Sequence, residues 1–128
     1  MELIVVIIIV GVIAAVALPN FAFVIEQMKA KEAEGILKVL LQAQNDYYLE
    51  NGYYSDTIDD LGVEIPGSND FDNYTIVAEC DDSGTPCAYV DRSNGLYTVY
   101  ILRDGSLACQ NYSAENICNR LNYSEIEY

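Results

Sequence analysis

Sixteen consecutive residues near the start of the chain, Leu3–Leu18 in "MELIVVIIIVGVIAAVALPNF", are all apolar or glycine. As a helix this run is about 24 Å long at 1.5 Å per residue, somewhat short of the roughly 30 Å hydrocarbon core of a bilayer. Such a segment is not stable when wetted on every side, so it needs lipid or other protein around it. A single carboxylate, Glu2, heads the run and a single proline, Pro19, ends it. No basic region precedes it and a helical pattern continues past it, which argues for a spanning segment over a cleaved signal peptide.

Beyond Pro19 the pattern becomes amphipathic. Ala33, Ile36, Leu40, Ala43 and Tyr47 follow a 3-4-3-4 spacing, and Leu37, Leu41 and Tyr48 widen the stripe. Lys29, Lys31, Glu32, Glu34 and Lys38 supply the polar faces, and Asn51-Gly52 supplies the stop. A helix over residues 2–51 is about 75 Å long. That exceeds any core a chain of 128 residues can build around it. Half of the helix must find its partners in lipid or in other copies of itself.

The charge is unevenly spread. Residues 1–38 carry three Lys against four Glu, and residues 39–128 carry three Arg against sixteen acids. The distal part therefore holds −13 of the formal −14. Phosphate backbones demand the opposite sign, so direct nucleic-acid binding by this part is not expected.

Four cysteines, Cys80, Cys87, Cys109 and Cys118, all lie in the distal half, and there is no histidine. Their spacings of seven, twenty-two and nine do not form a zinc-knuckle pair. Two disulfides in an oxidising, extracytoplasmic compartment fit better. Three pairings are open; the local ones, Cys80–Cys87 and Cys109–Cys118, are favoured.

Residues 52–72 read as a loop with a short turn near Thr57–Leu61. Strands are predicted at 73–79 ("NYTIVAE"), 87–92 ("CAYVDR"), 96–103 ("LYTVYILR") and 106–110 ("SLACQ"). Asn94-Gly95 and Asp104-Gly105 predict tight primed hairpin turns between them. The expected fold class is α+β: one long N-terminal α-helix packed on an antiparallel sheet of about four strands. The domain division is residues 1–24 as a hydrophobic anchor, then residues 25–128 as a head. The head takes in the amphipathic half of the helix, the sheet at 73–110 and an irregular tail at 111–128.

Glu2, Leu3, Gly11, Ala14-Ala15, Ala17 and Pro19, followed by "NGYYSDTIDDLG", resemble the type IV pilins. The nearest likeness is to major pilins and to the pseudopilins of type II secretion. The pair in "GSLACQNYSAENICNRL" looks like a pilin C-terminal disulfide loop. Family members begin a few residues before this glutamate, with an N-methylated residue exposed by removal of a short basic leader. By that alignment the leader and the first three mature residues are not in this sequence.

A carboxylate within a bilayer costs on the order of 3 kcal/mol. The resemblance implies that Glu2 pairs with the N-terminal amine of a neighbouring subunit during assembly; the plainer reading is a side chain that reaches the headgroups. Pro19 removes a backbone donor and Gly11 weakens the helix by roughly 1 kcal/mol. The resemblance implies that the segment between them unwinds when the subunit leaves the membrane, where a kinked anchor is the plainer reading. Ala14, Ala15 and Ala17 allow close approach of helices. Implied partners are identical subunits in a helical filament, the inner membrane before assembly, and a pilus assembly machinery. The implied location is an extracellular pilus serving adhesion, twitching motility or DNA uptake. The alternatives are a type II secretion pseudopilin and a membrane-anchored binding domain that never polymerises.

Other features carry less. Phe21, Phe23, Tyr47, Tyr48, Tyr53 and Tyr54 are read as packing residues rather than a charge-transport chain. "ECDDSGTPC" and "DRSNG" offer oxygen ligands, but no EF-hand spacing, and are read as solvated turns. No metal or cofactor is expected. Asn73, Asn111 and Asn122 each begin an N-x-Ser/Thr sequon and are candidate glycan acceptors, Asn73 with the least access. Without histidine, no Ser-His or Cys-His pair exists, and no glycine loop for phosphate follows a strand. The chain reads as a non-enzyme.

Overall fold

The computed structural model describes residues 2–126. Helix α1 runs from Glu2 to Asn51. A 3-10 turn covers Asp59–Leu61. Then come β1 (Phe71–Ile76), β2 (Ala88–Arg92), β3 (Tyr97–Ile101), β4 (Leu107–Asn111), the short helix α2 (Ile117–Arg120) and β5 (Ser124–Glu125). The chain forms two compact units, Met1–Ala30 and Lys31–Tyr128. The fold is α+β.

In the second unit, the Lys31–Asn51 part of α1 packs on a five-stranded sheet in the order β1-β2-β3-β4-β5. The first four strands form an antiparallel meander, and β5 joins β4 in parallel, with Ala108 opposite Ser124. The sheet thus has one strand more than expected. The tail is ordered, not irregular. Cys118 is bonded to Cys109, and the Ile126 N–H donates to the Cys109 carbonyl at 3.0 Å, so the tail is drawn along β4.

β3 is the central strand and all five of its residues are buried. Val90, Val99, Ile101 and Cys109 join Ala33, Leu37 and Leu40 in the fully buried core. The buried helical stripe is rotated from the predicted one. Leu37, Leu40, Leu41 and Gln44 are buried, whereas Ile36, Ala43 and Tyr47 are half-buried and Tyr48 is exposed. Polar Gln44 joins the buried stripe because its amide has partners there, the peptide groups of Ser55.

The hairpin turns also differ. Gly95 (φ 70°) and Gly105 (φ 82°) are left-handed, but Asn94 and Asp104 are not. A type I′ turn needs both central residues left-handed. Instead the Gly105 N–H closes on Leu102 O at 2.9 Å while the Leu102 N–H donates to Ser106 O at 2.9 Å. That is a three-residue loop with its glycine in the bulge position. The Asp104 carboxylate accepts from the Ser106 N–H at 2.8 Å within this loop.

Candidate assembly surface

The large apolar residues of Leu3–Leu18 are all exposed, from Ile9 at 53% to Leu3 at 74%. An 18-residue window of α1 has a mean hydropathy of 2.8 with none of it buried, long and apolar enough to cross a membrane. This is the opposite of what folding does elsewhere in the chain, where Leu37, Val90 and Val99 are wholly enclosed. At about 25 cal/mol per Å² of apolar surface, such a face strongly favours any apolar environment over water.

Glu2 lies in the first turn of α1 and is exposed. An acid there also complements the positive end of the helix dipole, so its position is locally favourable before any partner arrives. Gly11 is helical, and a side chain built there meets nothing within 4 Å. The fold of this chain alone gives no reason for a glycine at that position. The backbone of Pro19 is within the helix, and its side chain lies outside the described residues. The segment bracketed by Gly11 and Pro19 is thus helical in the single chain. Ala14, Ala15 and Ala17 are exposed on it.

The four cysteines sit in the other unit. Cys80–Cys87 and Cys109–Cys118 are bonded, with Cα atoms 4.6 Å and 5.6 Å apart. The first bridge closes the loop between β1 and β2, and the second ties α2 to β4. The acid-rich turns fold back on themselves. Asp81 accepts from the Ser83 N–H at 3.0 Å and from its hydroxyl, and these bonds hold its carboxyl below the usual range. Asn94 accepts from the Leu96 N–H at 3.2 Å.

The tyrosines pair across the end of α1. Tyr47 meets Tyr53 edge-on with centroids 5.7 Å apart, and Tyr48 stacks on Tyr54 at 4.6 Å. They staple the loop to the last turns of the helix. Phe21 is exposed and Phe23 half-buried. Of the sequon asparagines, Asn73 and Asn122 are exposed and Asn111 is half-buried. Asn111, not Asn73, is therefore the least accessible of the three; Asn73 lies where the β1–β2 register is broken by a bulge.

Three polar links carry no signal in hydropathy. Glu34, only 9% exposed, is held by Lys31 at 2.8 Å and Lys38 at 2.7 Å and accepts from the Tyr123 hydroxyl at 3.4 Å. Burial pushes its carboxyl up, but the hydrogen bonds and charge of the two lysines outweigh that and leave it lowered. Arg92 is buried, lies 5.3 Å over the Phe71 ring and pairs with Asp70 at 3.4 Å. Gln44 clasps the Ser55 peptide. Lys31–Glu34–Lys38 is legible afterwards as i, i+3 and i, i+4 pairs; the other two join residues with no periodic relation.

No family model matches the chain, and no solved structure matches it. The chain is similar to the type IV major pilin protein PilA of Myxococcus xanthus (strain DK1622), with 35% identity over 81 residues. The match covers 63% of this chain and 36% of that protein, so the chain spans little more than a third of its relative's length. The resemblance to type IV pilins read from the N-terminal motif is thus supported by an independent sequence match, and the α+β architecture expected from it is present.

Proposed function

We propose that this chain is a structural subunit of a type IV pilus that polymerises through the helix Leu3–Leu18. The observation that carries this reading is the uncovered apolar surface of that helix with Glu2 at its head. In the membrane the surface faces lipid. In a filament the same surface packs against copies of itself, and a contact that repeats without closing generates a fibre. Glu2 neutralises the terminal amine of a neighbour and sets axial register. Gly11 and Pro19 let the helix between them open on leaving the membrane, with neighbours or water taking up the freed backbone groups.

The filament stands on the cell surface, and its subunits wait in the inner membrane for an assembly machine. Its outer face carries the acidic surface of the distal part, which favours solubility and repels anionic surfaces. Adhesion or twitching motility suits such a face better than a direct grip on DNA. The role is structural and non-enzymatic.

The test is to shear producing cells, pellet the released material, image it, and identify the chain in it by mass. Long thin fibres built from this chain are expected. If the chain remains in the membrane fraction and no fibre contains it, the pilus reading fails in favour of a short secretion pseudopilin or a plain anchor.

A further inference from the structure

The three sequons share a form, with tyrosine at the middle position: Asn73-Tyr74-Thr75, Asn111-Tyr112-Ser113 and Asn122-Tyr123-Ser124. The structure divides them into two kinds. The Asn111 amide is fully engaged. Its Nδ2 donates to Glu125 at 2.9 Å and to Asn116 at 3.3 Å, and its Oδ1 accepts from the Cys118 N–H at 3.1 Å. A sugar on that nitrogen would displace the contacts that lay α2 and β5 along β4.

Asn73 and Asn122 are different in every respect. Both are exposed. Neither side-chain amide has a hydrogen-bond partner among the described residues. Their φ angles are 55° and 63°, and they are the non-glycine residues with positive φ among the described residues. Left-handed backbone explains an asparagine at each position. The Thr75 hydroxyl donates to the Asn73 carbonyl at 3.2 Å, but the left-handed backbone gives no reason for the hydroxyl of Ser124 two residues after Asn122.

Their placement adds a second regularity. The sheet order makes β1 and β5 the two edge strands. Asn73 lies in β1, and Asn122 lies two residues before β5. An exposed edge is a template for pairing with another copy, and natural sheets blunt their edges. Two disulfides place this unit in an oxidising, extracytoplasmic compartment, where acceptor asparagines in surface loops are modified.

We propose that Asn73 and Asn122 are N-glycan acceptors, that Asn111 is not, and that the glycans shield the two edges of the sheet. The donor is a sugar carried on a polyprenyl diphosphate. A bond forms between Asn Nδ2 and the sugar C1, and the bond from C1 to the diphosphate oxygen breaks. The polyprenyl diphosphate departs, and the amide proton goes to a base of the transferase. No redox change occurs. The proposal does not depend on polymerisation, since it requires only that the sheet unit reach the far side of the membrane.

The test is the intact mass of the full chain, extracted in detergent from its own producing cells so that recovery does not require fibres. The variants are N73Q, T75A, N122Q, S124A and N111Q, with peptide fragmentation to place any added mass. A surplus of whole sugar residues is expected, one part lost in N73Q and T75A and the remainder in N122Q and S124A. N111Q should keep all of it. No surplus, a surplus that survives N73Q and N122Q together, or one lost in N111Q overturns the assignment.

Discussion

The side-chain amide of Gln44 and the peptide of Ser55 form a closed pair. Nε2 donates to the Ser55 carbonyl at 2.8 Å, and Oε1 accepts from the Ser55 N–H at 3.0 Å. Both residues are buried, Gln44 completely. Helix α1 has ended at Gly52, whose left-handed φ of 81° lets its N–H close on Tyr48 O at 2.8 Å. The chain then turns back, and Gln44 supplies what a neighbouring strand would otherwise give Ser55.

Gln44→Ala should therefore strand a buried N–H and a buried carbonyl. Each unsatisfied group costs roughly 1–3 kcal/mol, so a loss of about 2 kcal/mol or more is expected. Urea unfolding of the detergent-solubilised chain checks this. A midpoint that does not move would mean that the turn stands without the clasp.

Cys109→Ser with Cys118→Ser removes the bridge spanning nine residues that holds α2 on β4. Loop-closure entropy for a ring of this size gives a loss of roughly 2.5 kcal/mol. The tail amides from Asn119 to Ile126 should also exchange faster with deuterated water than the β3 amides do. Equal protection in both forms would show that Asn111 and β5 hold the tail unaided.

Glu34 should set part of the acid limb of stability. Burial raises its carboxyl and the two lysines lower it more, for a net lowered value. A group depressed in the folded state stabilises above its unfolded value and loses that contribution as pH falls to the folded one. Its stabilisation is thus full at neutral pH and fades as pH drops below the ordinary carboxylate range. In urea titrations across pH, Glu34→Gln should lie below the native chain at neutral pH and converge on it in acid. A constant gap would sink this account.

Tyr123 gives the matching alkaline limb. Burial, then the charge and hydrogen bond of Glu34, push its phenol up to about 12 from 10.0. Raised on folding, it stabilises below the unfolded value and loses this as pH rises through the folded one. Tyr123→Phe should flatten the decline above pH 10, read by the same titrations.

Glu2→Ala should leave the chain in the membrane fraction, since it removes a charge from an apolar helix. Fibre yield from sheared cells should fall roughly tenfold or more, because about 1.4 kcal/mol per contact already amounts to a factor of ten. A normal yield would rule out charge pairing.

The sequence by itself determined what depends on local composition. An unbroken apolar run headed by Glu2 is legible because hydropathy adds along the chain, and the structure leaves it uncovered from Leu3 to Leu18. The four meander strands are legible because β-branched and aromatic residues alternate between glycine turns. Only the tertiary structure decided the rest. Gln44 joins the buried stripe of its helix because Ser55 arrives opposite it, and Tyr123 reaches Glu34 across 89 residues. β5 exists because a disulfide and the Asn111 amide bring a polar tail to the edge of β4. Buried polar groups are stable only where a partner meets them, and such partners come from distant parts of the chain that no periodicity connects.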